Sequence, residues 1–255
     1  MNISQKCWIL LFLSGTLFAE ETTEQQSQTP QSQPQKAWSI DIGGQYTWVA
    51  FSTPPTYSGS TGGVIGKLTY EMPWAFFGQA RTVYNLGPLS SSLNSTRFYE
   101  WYLELVGGYS FPIWKKWTFT PYVGVGFDFT NDDRSAYSTI AAIQLRYQTY
   151  YALVGFDTHY SWKNWKVGAQ FDCLPVFNQY LKIKTLSGEA WTLDDRVGFD
   201  ARLPVSWRIP VHCPEIWIEL APYYRWLPVG DSDVLGLPHR NLNQWGAFLT
   251  FRFFI

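Results

Sequence analysis

Two acid–histidine arrangements in this chain have the make-up of a water-activating couple, in which a carboxylate orients an imidazole that takes up a proton. One is Asp157-Thr158-His159; the other sets His239 near Asp231 and Asp233, and Asp132-Asp133 and Asp194-Asp195 add further carboxylates. Aspartates in polar stretches are also ordinary turn formers whose side chains stay solvated. Gly66-Lys67-Leu68 lacks both the glycine five positions before Gly66 and the Ser or Thr that a phosphate-cradling loop needs, so it reads as the start of a strand. No Gly-x-Ser-x-Gly elbow is present for an esterase. Three His and the distant Cys173 and Cys213 have no metal-ligand spacing. The residues therefore point to no catalytic, cofactor-binding or metal-binding set, and a non-enzymatic chain is expected.

Composition says more than these clusters do. Aromatic residues make up 19% of the 255, with 14 Trp, whereas charged residues are only 15%, below the roughly 25% usual in soluble domains. Something apolar has to face those rings. A formal charge of -1 gives no electrostatic basis for binding nucleic acid. Residues 1–19 read as a secretory signal peptide, with Lys6 as the positive region, an apolar stretch from Cys7 to Phe18 and Ala19 at the cleavage site. Residues 20–36 are rich in Gln, Ser, Thr and Pro with nothing apolar to bury, which predicts a disordered periplasmic linker. The folded unit is expected over 37–255.

From Ala37 onward, apolar and polar residues alternate with the two-residue period of strands whose faces meet different surroundings. Trp117, Phe119, Pro121, Val123, Val125, Phe127 and Phe129 share one face, with Thr118, Thr120, Tyr122, Gly124, Gly126, Asp128 and Thr130 on the other. Strands are predicted near 37–50, 63–72, 74–84, 98–111, 117–130, 143–157, 165–174, 196–209, 216–227 and 244–255. Several exceed the roughly 5 to 6 residues of an ordinary strand. Tight connections near Met72-Pro73, Pro112 to Lys116, Tyr160 to Asn164 and Pro210 to Glu215 alternate with long ones at 51–62, 85–97, 131–142, 175–195 and 228–243. An even strand number with short turns at one end and long loops at the other is the asymmetry of a bacterial outer-membrane barrel. The expected fold is all-β: a transmembrane antiparallel barrel of about ten strands, between eight and twelve, in the outer membrane of a Gram-negative-type envelope.

Tryptophans test this independently, because aromatic girdles belong at both membrane interfaces. Trp38, Trp74, Trp117, Trp165 and Trp207 fall at the tight-turn strand ends, and Trp48, Trp101, Trp226 and Trp245 towards the long loops. Trp38 and Trp48 lie ten residues apart on one face, which at about 3.3 Å per residue and a tilt near 40° spans roughly 25 Å.

Facing the expected lumen are Asp41, Glu71, Glu100, Glu104, Asp128, Asp172, Asp200 and Glu219, against Lys67, Arg81, Arg146, Lys166, Arg196, Arg202, Arg208, Arg225 and Arg252. A barrel of about eight strands has room only for side chains or one small ligand, so opposite charges in a slightly wider one should pair across it. The expected network centres on Glu100, Glu104, Asp128, Arg146, Asp200, Arg202, Glu219 and Arg225. Cys173 and Cys213 fall at opposite ends of the barrel and are not expected to bridge; Cys213, in a periplasmic turn, is free to cross-link another envelope protein.

Pro121-Tyr122-Val123-Gly124-Val125-Gly126 resembles a Pro-Tyr-x-Gly-x-Gly strand of small outer-membrane barrels, and Ala221-Pro222-Tyr223 resembles its start. The terminal segment from Trp245 to Ile255 is similar to the C-terminal assembly signal of that superfamily, although it ends in Ile255 and not in an aromatic residue. That resemblance implies a barrel-assembly machinery partner, besides the bilayer itself. The Trp-rich strands resemble the Protochlamydia outer membrane protein family of chlamydia-related bacteria. Ten-strand barrels also include the omptin-type proteases, whose carboxylates and Asp–His couple sit at the external mouth; here Asp157, His159 and His212 fall at the periplasmic end and only His239 is external. The expected role is structural or adhesin-like, through loops that meet extracellular or envelope proteins. A narrow porin-like diffusion channel is the first alternative and an omptin-like surface protease the second.

Overall fold

The computed structural model describes residues 38–52, 56–92, 95–133, 144–183, 190–194, 196–210, 215–230 and 240–255. The signal peptide and linker expected at 1–36 lie outside these residues, as do Asp195, His212, Cys213, Asp231, Asp233 and His239.

Strands β1 (Trp38–Phe51), β2 (Ser58–Glu71), β3 (Phe76–Ser90) and β4 (Ser95–Tyr109) are followed by the short β5 (Phe111–Trp114). Then come β6 (Trp117–Asp133), β7 (Gln144–Trp162), β8 (Trp165–Ile183) and the short β9 (Ala190–Leu193). The chain finishes with β10 (Val197–Arg202), β11 (Val205–Ile209), β12 (Ile216–Val229) and β13 (Arg240–Phe254). Every pairing is antiparallel, and β13 pairs along its length with both β12 and β1, which closes the sheet on itself. β10 and β11 lie end to end between β8 and β12 and act as one stave, while β5 and β9 flank β6 and β8. The result is a closed barrel of ten staves.

The barrel is inside-out relative to a soluble domain. Ile42, Val64, Leu105, Val123, Val125, Leu220 and Leu249 are exposed on its outer face, whereas Asp41, Glu100, Glu104, Asp128, Asp172, Asp200 and Arg225 are buried within. The alternation does this directly, because successive side chains of a strand point to opposite faces. On β12, Trp217, Ala221, Tyr223, Arg225 and Leu227 are buried, while Leu220, Pro222 and Tyr224 are exposed between them.

Three prolines mark where the ladders change. Pro204 has no N–H to donate, and the stave expected to run unbroken over 196–209 is interrupted at Leu203-Pro204. Pro222 sits opposite that interruption, its carbonyl accepting from Leu203 N at 3.0 Å. Pro121 likewise lies where β4 hands over to β5: the last β4 pair is Gly108↔Tyr122 and the nearest β5 pair is Phe111↔Phe119. Pro121 and Pro222 therefore each stand where one ladder is already broken.

The strands run further towards the long-loop end than the alternation predicts. Segment 85–97, expected as a loop, continues the ladder to Ser90↔Ser95, with Gly87 and Pro88 paired to Phe98 and Arg97. Segment 175–195 continues β8 to Ile183 and adds β9. Alternation fails there because of a bulge: Tyr151 pairs with Val176 and Tyr150 with Asn178, leaving Phe177 as an extra residue. Beyond it the buried set switches from Leu174 and Val176 to Gln179, Leu181 and Ile183.

At the opposite end the turns are tight. Lys163 and Asn164 alone connect Trp162 to Trp165, with Lys163 at φ 52°, and Ala75 before β3 has φ 62°.

Candidate functional site

Among the described residues, the lumen gathers the largest set of buried ionisable groups, and it has three levels. At the level nearest the long loops, Val49, Phe51, Leu89, Phe98, Leu227 and Leu242 point inwards and pack with Tyr57; none is more than 2% exposed. An apolar cap was not expected in a lumen predicted to be lined by charge. It arises because the inward parity of β1, β3, β4, β12 and β13 is carried by apolar residues once the strands extend past the polar belt.

Below the cap is that belt, organised around Arg225, whose guanidinium is 1% exposed. Its Nη2 donates to Asp128 Oδ2 at 3.0 Å and to Tyr151 Oη at 3.2 Å, and its Nη1 to Glu104 Oε1 at 3.5 Å. The same group lies 4.3 Å from the centre of the Tyr102 ring, which adds a cation–π contact. Glu104 also accepts from Arg81 and, at 2.8 Å, from Tyr151 Oη. Arg202 donates twice to Asp200, at 3.0 and 2.6 Å, with its guanidinium over Phe248. Two acids have neutral partners: Glu100 accepts from Gln244 Nε2 at 2.8 Å and from Asn85 at 3.4 Å, and Asp172 accepts from Tyr122 at 2.5 Å and Gln170 at 3.0 Å.

Nearest the tight turns the lumen admits solvent. Asp41 is held by Lys67 at 2.5 Å and by two bonds from Arg252, whose side chains are 16% and 25% exposed. Glu219 accepts from Ser206 at 2.9 Å and stands 3.9 Å from Arg252. Lys166 lies over the Trp217 ring at 4.5 Å.

Of the eight residues expected in the network, Glu100, Glu104, Asp128, Asp200, Arg202 and Arg225 meet in the belt, and Glu219 sits at the solvated level. Arg146 does not belong to it. The buried residues of β7 are Leu145, Tyr147, Thr149, Tyr151 and Leu153, so Arg146 falls on the outer face, 5.1 Å from the Phe129 ring centre. Its charge suggests the lumen, but the parity of its own strand sets it outside, where a charge is tolerated close to the long-loop end.

Other participants carry no signal in isolation. Tyr151 can reach Glu104 because it crosses over Gly126, where a Cβ would stand 2.2 Å from its ring. Gly155 similarly leaves room for Asp172 and Tyr122, with a would-be Cβ at 2.3 Å from Asp172 Oδ1. The Tyr122 and Gly126 of the Pro-Tyr-x-Gly-x-Gly segment thus both serve the belt.

On the outer face, Trp38 packs on Tyr70, Trp117 on Tyr160 and Trp165 on Trp207, and Trp74 stands exposed, all at the tight-turn end. Trp48 packs on Trp245, Trp226 on Phe199 and Trp101 on Phe127 towards the other end. Asp157 and His159 approach to 3.8 Å at the tight-turn end, partly open to solvent.

No family model matches the chain, and no curated protein matches its sequence. Among solved structures, it is similar to the translocator domain of the autotransporter NalP from Neisseria meningitidis, at 8% identity and a TM-score of 0.48, covering 98% of this chain and 94% of that one. The beta domain of the Bordetella autotransporter BrkA gives 10% identity and 0.44, covering 86% and 99%. Neisserial surface protein A gives 10% and 0.39, covering 86% and 97%.

Proposed function

We propose that this chain is an integral outer-membrane β-barrel serving as a structural or surface-interaction scaffold, with no catalytic role and no open channel. The observation that carries this reading is the sealed lumen: an apolar cap over a salt-bridged belt, with side chains 0–2% exposed at the cap. A solute path would need a continuous polar lining, and the cap interrupts it. The bilayer setting is supported by the exposed apolar band between two rows of tryptophan, since contiguous bare apolar surface marks a site of interaction. Both ends of the described barrel lie at the tight-turn rim, where Ile255 N donates to Trp38 O at 3.0 Å; this is the arrangement of an even-stranded barrel with periplasmic termini. In that setting β13, with Trp245, Phe251, Phe253 and Ile255 on one outer face, is the strand offered to a barrel-assembly machinery. The long loops carry any contact with extracellular or envelope proteins.

Purified, refolded protein added to planar bilayers should not conduct. Stable, ion-selective openings would overturn the scaffold reading in favour of a narrow channel. Cleavage of peptides, abolished by His239→Ala, would overturn it in favour of a surface protease.

A further inference from the structure

One stretch of the outer face gathers positive charge that nothing among the described residues neutralises. Arg146 on β7 and Lys182 on β8 are direct cross-strand partners. Their neighbours along each strand, Leu145, Tyr147, Leu181 and Ile183, are buried, so both cations point outwards. Side chains so placed have Cβ atoms about 5 Å apart, and like charges there repel. Among the described residues, no carboxylate lies within ion-pair distance of either cation. The acids on the adjoining segments have other partners: Asp133 accepts from Gln144 Nε2 at 3.0 Å, and Asp194 stands 3.9 Å from Arg196. Asn131, the partner of Arg146 on β6, is 0% exposed and neither of its amide atoms is hydrogen-bonded; Arg146 Nε is buried and equally unpaired. Buried polar groups without a partner are rare in folded proteins, and this pair of cations beside one of them calls for an anion.

The height of the pair on the barrel identifies the class of anion. Trp101 pairs with Phe129, Phe129 with Gln148 and Gln148 with Tyr180, which marks the aromatic level at the long-loop end. Arg146 and Lys182 each lie two positions beyond that level, about 7 Å further along their strands. Outside an aromatic girdle comes the headgroup layer of a bilayer, where lipid phosphates lie. A guanidinium presents its N–H groups as a fork that fits phosphate oxygens, and an ammonium adds a point charge. The Phe129 ring, 5.1 Å from the Arg146 guanidinium, helps to hold that fork in place. Two cations match a phosphomonoester, which carries about −1.5 to −2 at neutral pH, whereas a diester would neutralise only one of them.

We infer that Arg146, Lys182 and Asn131 form a binding site for a lipid with a phosphomonoester headgroup, in the leaflet on the long-loop side. The phosphate oxygens accept from both cations and from Asn131 Nδ2, which relieves the repulsion between Arg146 and Lys182. The acyl chains lie on the apolar outer face below, where Phe127 and Tyr150 pack at 5.0 Å. This inference rests on the bilayer setting proposed above and adds to it the chemistry of one lipid.

The test is native mass spectrometry of the refolded full chain in neutral detergent micelles, with phosphatidic acid, phosphatidylglycerol or phosphatidylcholine added. One phosphatidic acid should be retained roughly 25-fold more tightly than phosphatidylcholine, at about fivefold for each cation. Arg146→Gln and Lys182→Gln should each cut that preference about fivefold. Lys115→Gln with Lys116→Gln, which removes two cations from the turn between β5 and β6 at the opposite rim, should leave it unchanged. Phosphatidylglycerol or phosphatidylcholine retained as tightly as phosphatidic acid, an equal loss with the rim substitutions, or displacement of the lipid by millimolar inorganic phosphate would each overturn the site; the wild-type comparison needs no variant to fold. Insertion into phosphatidylcholine vesicles, followed by protection from added protease, is read separately. Failure to insert would remove the bilayer setting and the site with it, whereas insertion without selective retention would overturn the site alone.

Discussion

Replacing Arg225 by Met tests the belt at its centre. The substitution keeps an unbranched side chain over Tyr102 but removes the donors to Asp128, Tyr151 and Glu104. Glu104 keeps Arg81 and Tyr151, whereas Asp128 keeps only its neutral contacts, among them Thr130 at 2.9 Å. Leaving a buried charge without its partner costs about 3 to 5 kcal/mol, and the greater part should fall on Asp128, which is 1% exposed. Urea unfolding in detergent micelles, followed by tryptophan fluorescence, measures the loss. Combining Arg225→Met with Asp128→Asn removes the orphaned charge, so about half of the loss or more should return; the non-additivity reports the coupling between the two groups. Arg146→Met, on the outer face against Phe129, should cost about 1 kcal/mol or less. If Arg225→Met costs no more than Arg146→Met, or if the double substitution is as unstable as the single one, the belt is not what holds the lumen together.

Other substitutions probe the two faces and one turn. Gly126→Ala drives a methyl group into the Tyr151 ring and should cost about 1 to 3 kcal/mol by overpacking, while Gly66→Ala, whose nearest neighbour would be Thr82 Cγ2 at 3.6 Å, should be mild in the same titration. Val125→Arg, mid-strand on the exposed outer face, should cost about 2 to 4 kcal/mol when the protein is refolded into lipid vesicles; equal stability of variant and wild type there would show that this face does not meet lipid. Lys163→Gly should stabilise the Trp162–Trp165 hairpin by about 1 kcal/mol, because Lys163 occupies a left-handed φ that glycine adopts without steric cost; an unchanged unfolding midpoint would count against that turn geometry.

The periodic part of the fold is legible in the order of residues alone. An alternating run such as Trp117 to Thr130 can bury one face and expose the other only as a strand, and ten such runs with alternating tight and long connections leave an antiparallel closed sheet as the arrangement without bare edges. The rows of tryptophan follow from the same parity, since a residue's face and height are both set by its place along the strand. Tertiary structure decided what parity cannot encode. The extension of β3, β4 and β8 depends on ladders formed with neighbouring strands, which override the loop-like composition of Gly87-Pro88 and the bulge at Phe177. Partner choice in the belt is equally non-local: Arg225 meets residues 97 and 121 positions away, and which acid it takes depends on barrel closure and strand stagger. Arg146 shows the limit from the other side, because its charge suggested the lumen while its parity put it outside. Gly126 shows it most directly. Within its own strand it is one small residue among several, and only the path of Tyr151 from the next strand makes the missing Cβ a requirement.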